Sequence, residues 1–475
     1  MTRVLAVADS DSYLKWAAGL LDAMPPNWVT ELLVVRSPIA PSEGQIRAAV
    51  SGTRIDRRAG RPADSPAPTA PAFRWDGTGT ACADGTGTAC AEGAGTALAR
   101  GAAARPTETA PPDQAGRGGD DDEGTDGAAG ALLPPVLSAR RLRRTAERFR
   151  PDVVLLACTG PVVDVLAADI LSDLRPRPVF VSGLPGISVP ATEKAWLYRS
   201  GCELFVVHSG REVREFSALG RELGGGGGVA LARLPYLDLG VVGTAERDKV
   251  IFATQAKVPR RREERENVLL ALAALADTRP DLEVVVKLRA RDSERQTHNE
   301  RHHYERLWLA MAGEGRVRAD AITFAAGPMH EHLTRAAGFV TVSSTAALEA
   351  IARKVPLLVL SDFGVSAEMI NLVFEGSGCL GTLDDLAKGD FRTPDGDWCR
   401  ANYFHDDTES DWLSRISELV TTAKEGRLVP ARSLLDGAEH ASARRRARLR
   451  LEVPPRVLRY GYRAKRRMRR YLKVF

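Results

Sequence analysis

Residues 339–364 read FVTVSSTAALEAIARKVPLLVLSDFG, and this stretch shows how the chain is built. An apolar run ends at Val342, hydroxyl residues follow at 343–345, and an alanine-rich segment of helical length leads into a second apolar run at 356–361. Short continuous apolar runs that alternate with helix-length segments are typical of a parallel sheet covered on both faces. The stretch therefore predicts a strand–helix–strand unit of an α/β fold.

The same alternation continues in both directions. Strands are predicted before the glycine run 224–228 and again after it, at 4–8, 31–36, 151–158, 178–183, 204–209, 250–255, 282–289, 321–325, 339–344 and 356–361. Helices are predicted between them and at 366–374 and 410–424. Two consecutive βαβ units joined by one crossing predict an α/β protein with two Rossmann-like lobes, whose cleft is the expected ligand site.

The lobes are predicted to cover residues 1–52 plus 133–235 and residues 245–428. The segment between the two parts of the first lobe, 53–132, has a different composition. Within residues 56–130, Leu98 is the only Leu, Ile, Val or Met, and the octapeptide DGTGTACA occurs at 76–83 and again at 84–91. Such a segment buries too little apolar surface to offset its ordering entropy, so a disordered insertion is expected.

Composition narrows the class of protein. The chain has 475 residues, 44% of them hydrophobic and 27% charged, as in globular proteins. No apolar run approaches the roughly 18–20 residues that span a bilayer, and the N-terminus does not read as a secretory signal. The 6 cysteines show no CxxC spacing. We therefore expect a cytoplasmic protein without a disulfide framework or a zinc site.

The basic charge is concentrated in the predicted tail, residues 429–475. Residues 444–475 contain 14 basic residues and one acid, Glu452, a net charge of +13, whereas the whole chain carries +5. Aromatic and aliphatic side chains alternate with these arginines, which suits an anionic membrane surface. Docking onto the acidic body and nucleic-acid binding remain the alternatives.

Two strand ends are candidate sites. Ser343, Ser344 and Thr345 open a helix, where free N–H groups and hydroxyls could bind phosphate, and Glu349 one turn later could accept hydrogen bonds from ribose hydroxyls. The alternative is a well-capped helix without a ligand.

At the first strand end, Asp9 and Asp11 could supply the general base that deprotonates an acceptor hydroxyl. The alternative there is helix capping, with Lys15 paired to Asp11.

Two loops of the first lobe are weaker candidates for the cleft. They follow predicted strands and contain Thr159 with Gly160 and Gly183, respectively. Ordinary turn chemistry is the alternative for both.

In the second lobe, Lys287 and Arg289 at a strand end could neutralise a diphosphate or an acidic sugar, or could be ordinary strand-end cations. His330 could touch a donor there, and a surface or capping role is its alternative.

The run SSTAALEAIARKVPLLVLSDFG resembles the signature of GT-B type glycosyltransferases, bacterial capsule and teichoic-acid transferases and sugar-nucleotide 2-epimerases among them. The resemblance implies that Ser343, Ser344 and Thr345 face the donor phosphates and that Glu349 faces the ribose. It also implies that Phe363 and Gly364 lie near the donor or the cleft. Unlike capsule transferases of this type, the chain has Leu288 and Arg289, not His-Pro, after Lys287.

We therefore expect a GT-B type glycosyltransferase that moves a sugar from a nucleotide-activated donor to a hydroxyl of an envelope or secondary-metabolite acceptor. The resemblance implies no metal or other cofactor. A lipid-linked acceptor and association with the inner face of the plasma membrane through 444–475 are expected, and nucleic acid is not an expected partner. The alternatives are a polyol-phosphate transferase, a sugar-nucleotide epimerase, or a non-enzymatic binding protein with a nucleic-acid-binding tail.

Overall fold

A computed structural model describes residues 1–59, 133–237, 246–289, 300–453 and 457. The predicted disordered insertion, 53–132, lies largely outside these residues. Its first residues form helix α3, Arg54–Ala59. The backbone N–H of Arg54 donates to the Asp22 carboxylate at 2.7 Å, which holds the start of this helix against the lobe. The ordered chain therefore extends beyond the predicted boundary at residue 53.

The first lobe is a sheet of seven parallel strands in the order β3-β2-β1-β4-β5-β6-β7. Its strands are β1 Arg3–Ala8, β2 Val29–Val35, β3 Val136–Leu137, β4 Val153–Ala157, β5 Val179–Gly183, β6 Leu204–Val207 and β7 Gly228–Leu231. Strand β7 occupies part of the predicted crossing. Gly227 precedes it because a Cβ there would lie 1.7 Å from the carbonyl oxygen of Glu203.

Helices cover both faces of this sheet. They are α1 Asp11–Asp22, α2 Glu43–Val50, α3, α4 Ala139–Phe149, α5 Gly160–Val165, α6 Glu193–Leu197 and α7 Gly210–Leu223. Helix α5 continues as a π-helical turn, Leu166–Ile170. Helix α1 buries Leu14, Trp16 and Leu21 on one face of the sheet, and α4 buries Leu142 and Ala146 on the other.

The second lobe is a sheet of six parallel strands in the order β10-β9-β8-β11-β12-β13. Its strands are β8 Lys249–Ala253, β9 Glu283–Lys287, β10 Thr323–Ala325, β11 Ala336–Thr341, β12 Leu357–Leu360 and β13 Leu380–Gly381. The helices are α8 Arg262–Thr278, α9 Tyr304–Gly313, α10 Met329–Leu333, α11 Ala346–Ala352, α12 Leu383–Lys388 and α13 Gly396–Ala401. Residues 366–374, predicted as a helix, form only a short 3-10 turn at Leu372–Phe374.

Two later segments pack back on the first lobe. Helix α14, Trp412–Lys424, packs on β5 and β7 and inserts Trp412, Ile416 and Val420 into the first-lobe core, although the sequence placed it in the second lobe. Helix α15, Ala438–Glu452, buries Ala447 and Leu451 in the core beneath α4 and α5. This part of the tail therefore docks on the body, as one of the alternatives predicted.

Ion pairs fix the position of α15. Arg444 donates two hydrogen bonds of 2.9 Å to the buried carboxylate of Asp164, and Arg448 pairs with Asp169. The rest of the tail, apart from Val457, lies outside the described residues. Within the described part of the chain, no helix is long and apolar enough to cross a membrane.

The α/β fold with two Rossmann-like lobes, predicted as GT-B type, is confirmed. Both sheets are wholly parallel, and each has a point where the strand order reverses direction. In the first lobe this point lies between β1 and β4, and in the second it lies between β8 and β11. Ligands of open α/β sheets bind in the crevice beyond the carboxyl ends of the strands at such points.

Candidate functional site

Asp9 and Thr159 meet at the reversal point of the first lobe. Asp9 follows the end of β1, and Thr159 follows β4 on the adjacent strand. One oxygen of Asp9, Oδ2, accepts a hydrogen bond of 3.0 Å from the backbone N–H of Thr159 and another from its hydroxyl. Two of the predicted site residues are thus brought together, although 150 positions separate them in the chain.

The Asp9 carboxylate lies in a low-dielectric environment. Its exposed fraction is 0%, and burial raises its pKa above the ordinary value, while hydrogen bonds from Thr159 and Ser10 and the charge of Arg199 oppose that rise. The second oxygen, Oδ1, has no hydrogen-bond partner among the described residues. A buried carboxylate with a raised pKa and one free oxygen is suited to accept a proton.

Arg199 is a member of this site that the sequence did not predict. The residue is 96% buried, and its guanidinium donates to the Tyr13 hydroxyl at 2.7 Å and to the carbonyl oxygen of Gly183 at 3.0 Å. It follows α6, a short helix with no sequence feature that marks its last turn as functional. Only the tertiary fold, in which Arg199 donates to the end of β5, brings this cation beside Asp9.

The predicted cleft glycines serve packing. A Cβ on Gly183 would lie 2.5 Å from the Trp16 ring, so this residue is buried beneath α1 and does not line an open loop. A Cβ on Gly160 would lie 2.6 Å from the Tyr198 ring. Both positions require glycine because an aromatic side chain lies directly against the backbone.

Asp11 is separated from Asp9 by its ion pair. Its Oδ2 lies 2.8 Å from Nζ of Lys15, the (i, i+4) pair that the sequence offered as an alternative. The side chains of Lys15 and Asp11 are 54% and 30% exposed. Asp11 therefore neutralises a helix cation, and the structure does not place it with Asp9 at the buried site.

The hydroxyls at the second reversal point are partly used within the protein. Ser343 Oγ donates to Gln255 Oε1 at 2.6 Å, a bond that joins the loop after β8 to the loop after β11. Ser344 Oγ accepts the Ala346 N–H at 3.2 Å and so caps α11. Thr345 makes no capping bond and lies against the first-lobe loop, where a Cβ on Gly186 would be 3.3 Å from its side chain.

The loop after β8 is held rigid by a buried arginine. Arg265, on α8, donates to the carbonyl oxygens of Gln255 and Ala256, each at 3.0 Å, and pairs with Glu300. Its guanidinium also lies 4.8 Å from the centroid of the Tyr304 ring. This clamp fixes Gln255, and through it Ser343.

Glu349 and Lys287 form the charged part of the second site. Glu349 is half-buried on α11, and burial raises its pKa to about 7. Lys287 ends β9, and burial lowers the pKa of its ammonium while Glu349 opposes that shift. Neither charged group has a hydrogen bond or ion pair within the described residues. Arg289 is exposed two residues beyond Lys287.

Lys15, on helix α1 of the first lobe, also lies near this site. Its ammonium is close enough to Glu349 to oppose the rise of that pKa, and it also lowers the pKa of Lys287. The sequence predicted only its pair with Asp11, because the spacing within α1 carries no information about the other lobe. Cations from both lobes therefore surround one carboxylate.

A buried carboxylate also joins the lobes behind the site. Glu212, on α7, accepts hydrogen bonds from the Ser188 N–H at 2.7 Å and from the hydroxyl of Tyr403, in the second-lobe core, at 2.6 Å. Burial raises its pKa to about 7. The sequence SGRE at 209–212 has the spacing of a capping box, the one signal that could have pointed to this residue.

The remaining candidates lie at the margin of the second lobe. Gly364 is exposed with φ +95°, a conformation that favours glycine, and its carbonyl oxygen accepts from the buried Asn371 amide at 3.0 Å. Phe363 packs partly against the second-lobe core. The side chain of His330 is exposed, as its alternative surface role predicted. Among the residues described, no group of three or more His, Cys, Asp or Glu could hold a metal ion.

Comparison with solved structures found chains of similar length at low identity. S. aureus MnaA, solved with UDP, is 10% identical with a TM-score of 0.47, over 90% of this chain and 98% of that one. The UDP-GlcNAc 2-epimerase from Methanocaldococcus jannaschii is 9% identical with a TM-score of 0.46, over 88% and 99%. The lipopolysaccharide outer core galactosyltransferase WaaB is 8% identical with a TM-score of 0.39, over 89% and 100%.

Comparison with curated proteins found no match. A family model matches residues 4–71 and 110–419, which is more than half of the chain. The matched residues include Asp9, Thr159, Lys287 and Glu349, and so cover both reversal points. The chain therefore belongs to the family described as "Putative glycosyltransferase (DUF6716)".

Proposed function

We propose that this protein transfers a sugar from a nucleotide-activated donor, bound at the second lobe, to an acceptor hydroxyl held at the first. The observation that carries the proposal is the half-buried Glu349 carboxylate, which lies near Arg353, Lys287 and Lys15. Neither Glu349 nor Lys287 forms a hydrogen bond or ion pair with its side chain among the described residues, and Lys15 is paired with Asp11. A diphosphate supplies negative charge for the cations, and a ribose supplies hydroxyl donors for the carboxylate.

The transfer develops negative charge on the departing diphosphate. Lys287, Lys15 and Arg289 would stabilise that charge, and their positions are set by strand β9 and helix α1 before the donor arrives. The free hydroxyl of Thr345 would add a hydrogen-bond donor. This assignment gives the nucleotide to the second lobe and leaves the first lobe for the acceptor.

Asp9 would act as the base. Burial raises its pKa, and its unpartnered Oδ1, which is buried in this structure, would take the proton of the acceptor hydroxyl once the site opens to the acceptor. Arg199 and Tyr13 would orient it from behind. We propose no resident metal or cofactor, so turnover should be unchanged by EDTA.

The identity of the donor can be tested by thermal shift. Purified full-length protein is screened against UDP-, GDP-, CMP-, CDP- and dTDP-linked ligands, with Glu349→Ala as the matched control. A ligand at about 100 times its Kd should stabilise the protein by about 2.7 kcal/mol, a shift of a few degrees. A shift that is seen in wild type and reduced in the variant supports the proposal, and no shift with any nucleotide contradicts it.

We also propose that the acceptor is lipid-linked and that the protein works at the inner face of the plasma membrane. The support is the net charge of +13 over residues 444–475, of which the part from 444 to 453 is anchored on the first lobe. Fractionation of cells between cytosol and membranes, with and without a high-salt wash, tests this. A protein found only in the cytosol at low salt would contradict it.

A further inference from the structure

Helix α4 carries a row of arginines that takes no part in the site described above. Its inward residues, Ala139, Leu142 and Ala146, set the rotation of the helix. Arg141, Arg144 and Arg148 then share one outer face, because residues three and four apart are neighbours on a helix. With Leu137, Thr145 and Glu147 they line an open groove of about 600 Å³.

The three cations of this row form no ion pair among the described residues, although the charge of Arg148 is close enough to Glu31 on β2 to oppose the rise that burial causes in the pKa of that carboxyl. Within the part of the chain that the structure describes, their guanidinium groups have no ion pair or hydrogen bond. The one acid in the groove, Glu147, is paired with Arg143 at 2.9 Å on the same helix. Like charges one turn apart destabilise a helix slightly, and an anion in the groove would relieve that repulsion.

Helix α15 extends the same surface. Its last residue, Glu452, lies 4.0 Å from Arg140 of α4, and its carbonyl oxygen accepts from Arg36 at 3.1 Å. Because α4 and α15 cover the same face of the first sheet, the exposed arginines of both helices lie on one layer. Exposed apolar side chains lie on α15 and on the edge strand β3, Leu449 at 53% and Val136 at 44% exposure.

Arginine-rich helices with interspersed apolar side chains match the headgroup region of an anionic bilayer. Guanidinium groups bind phosphate in bidentate geometry, whereas the lining of the groove has no aromatic ring on which a nucleic-acid base could stack. We propose that the groove along α4 binds the phosphates of anionic lipid headgroups. The folded first lobe, and not only the tail beyond residue 453, then contacts the membrane.

This inference rests on the proposed membrane association and is independent of the transfer chemistry. Full-length protein is sedimented with phosphatidylcholine vesicles, with and without phosphatidylglycerol. The groove variant is Arg141→Glu with Arg144→Glu and Arg148→Glu. The control is Arg214→Glu with Arg221→Glu and Arg260→Glu, which makes the same charge change at exposed positions elsewhere.

We expect the groove variant to lose at least about ten-fold in partitioning onto phosphatidylglycerol vesicles, since every basic side chain near an anionic surface adds to the attraction. The control should lose much less. A tail variant, Arg466→Glu with Arg467→Glu and Arg469→Glu, should retain groove-dependent binding. Equal losses in the groove variant and the control, or none in either, would overturn the proposal.

Further arms separate the possible sources of phosphate. Binding of soluble inositol hexakisphosphate or RNA that requires the three arginines, without binding to vesicles, would overturn the lipid assignment. The Arg141→Lys, Arg144→Lys and Arg148→Lys variant keeps the charge and should keep most vesicle binding, which guards against a folding defect in the Glu variant. The nucleotide thermal shift should be the same in all variants, so failure here leaves the donor assignment intact.

Discussion

The two reversal points hold their carboxylates in opposite ways. Asp9, in the first lobe, has no exposed surface, and one of its oxygens accepts two hydrogen bonds from Thr159. Glu349, in the second lobe, is half-buried and has no hydrogen bond to any described residue. Burial is the largest cause of a raised pKa in both.

The difference in hydrogen bonding suits the two carboxylates to different roles. Thr159 holds Asp9 in one orientation, which suits a group that must meet a reacting proton. Glu349 lies near cations, but no described group donates a hydrogen bond to its carboxylate. Such a carboxylate is suited to accept hydrogen bonds from the hydroxyls of a ligand. We therefore propose proton transfer for the first lobe and donor binding for the second.

The largest effect is expected at Asp9. Asp9→Asn keeps the shape but cannot accept a proton, so kcat should fall by about 10²-fold or more, while donor affinity changes little. Steady-state kinetics and donor titration check this, with Thr159→Val as a variant that alters only the orientation of Asp9. If Asp9→Asn lowers the thermal midpoint and leaves kcat intact, Asp9 is structural and the base lies elsewhere.

At Glu349 the effect should fall on affinity. Glu349→Ala removes the acceptor for the ribose hydroxyls, so donor Kd should rise by about ten-fold or more, since hydrogen bonds to a charged group contribute about 1.5–3 kcal/mol. Calorimetric titration with the nucleotide identified by thermal shift measures it. Unchanged affinity in a folded Glu349→Ala variant would contradict the ribose assignment.

The pH dependence should differ between the two variants. Because the pKa of Glu349 is about 7 in the folded protein, its carboxylate gains charge between about pH 6 and 8. Donor affinity should therefore rise several-fold over that range in wild type and in Asp9→Asn, and stay flat in Glu349→Ala. The same raised pKa means that the contribution of Glu349 to folding stability is fully present below its unfolded pKa and is lost as pH rises through about 7.

The smallest effect is expected at Asp11. Its pair with Lys15 is partly exposed, and such (i, i+4) pairs contribute about 0.3–0.5 kcal/mol. Asp11→Asn should thus change the thermal midpoint by a degree or so and leave kcat within two-fold. A fall in kcat as large as that of Asp9→Asn would make Asp11 the catalytic carboxylate and reverse the assignment made from burial.

Much of the fold was predictable because it depends on local patterns. All ten predicted strands occur within a few residues of their expected bounds, since continuous apolar runs mark buried parallel strands. Short edge strands such as Leu380–Gly381 were missed because two residues carry no periodicity. Helix α14 was predicted but assigned to the wrong lobe. Its apolar stripe shows that one face of the helix is buried, but it does not show which sheet covers that face.

By itself, the sequence determined the parallel α/β architecture, the separation into two lobes, and the residues at the strand ends, among them Asp9, Ser343 and Glu349. These features are predictable because apolar runs, and the polar residues that follow them, are recognised from consecutive residues. Only the tertiary structure decided which of these residues meet. In the tertiary structure, Arg199 and Thr159 lie beside Asp9. Asp11 pairs with Lys15, and Lys15 also lies near Glu349 of the other lobe. Burial and contact between distant segments set pKa values and partners, and neither can be read from neighbours in the chain.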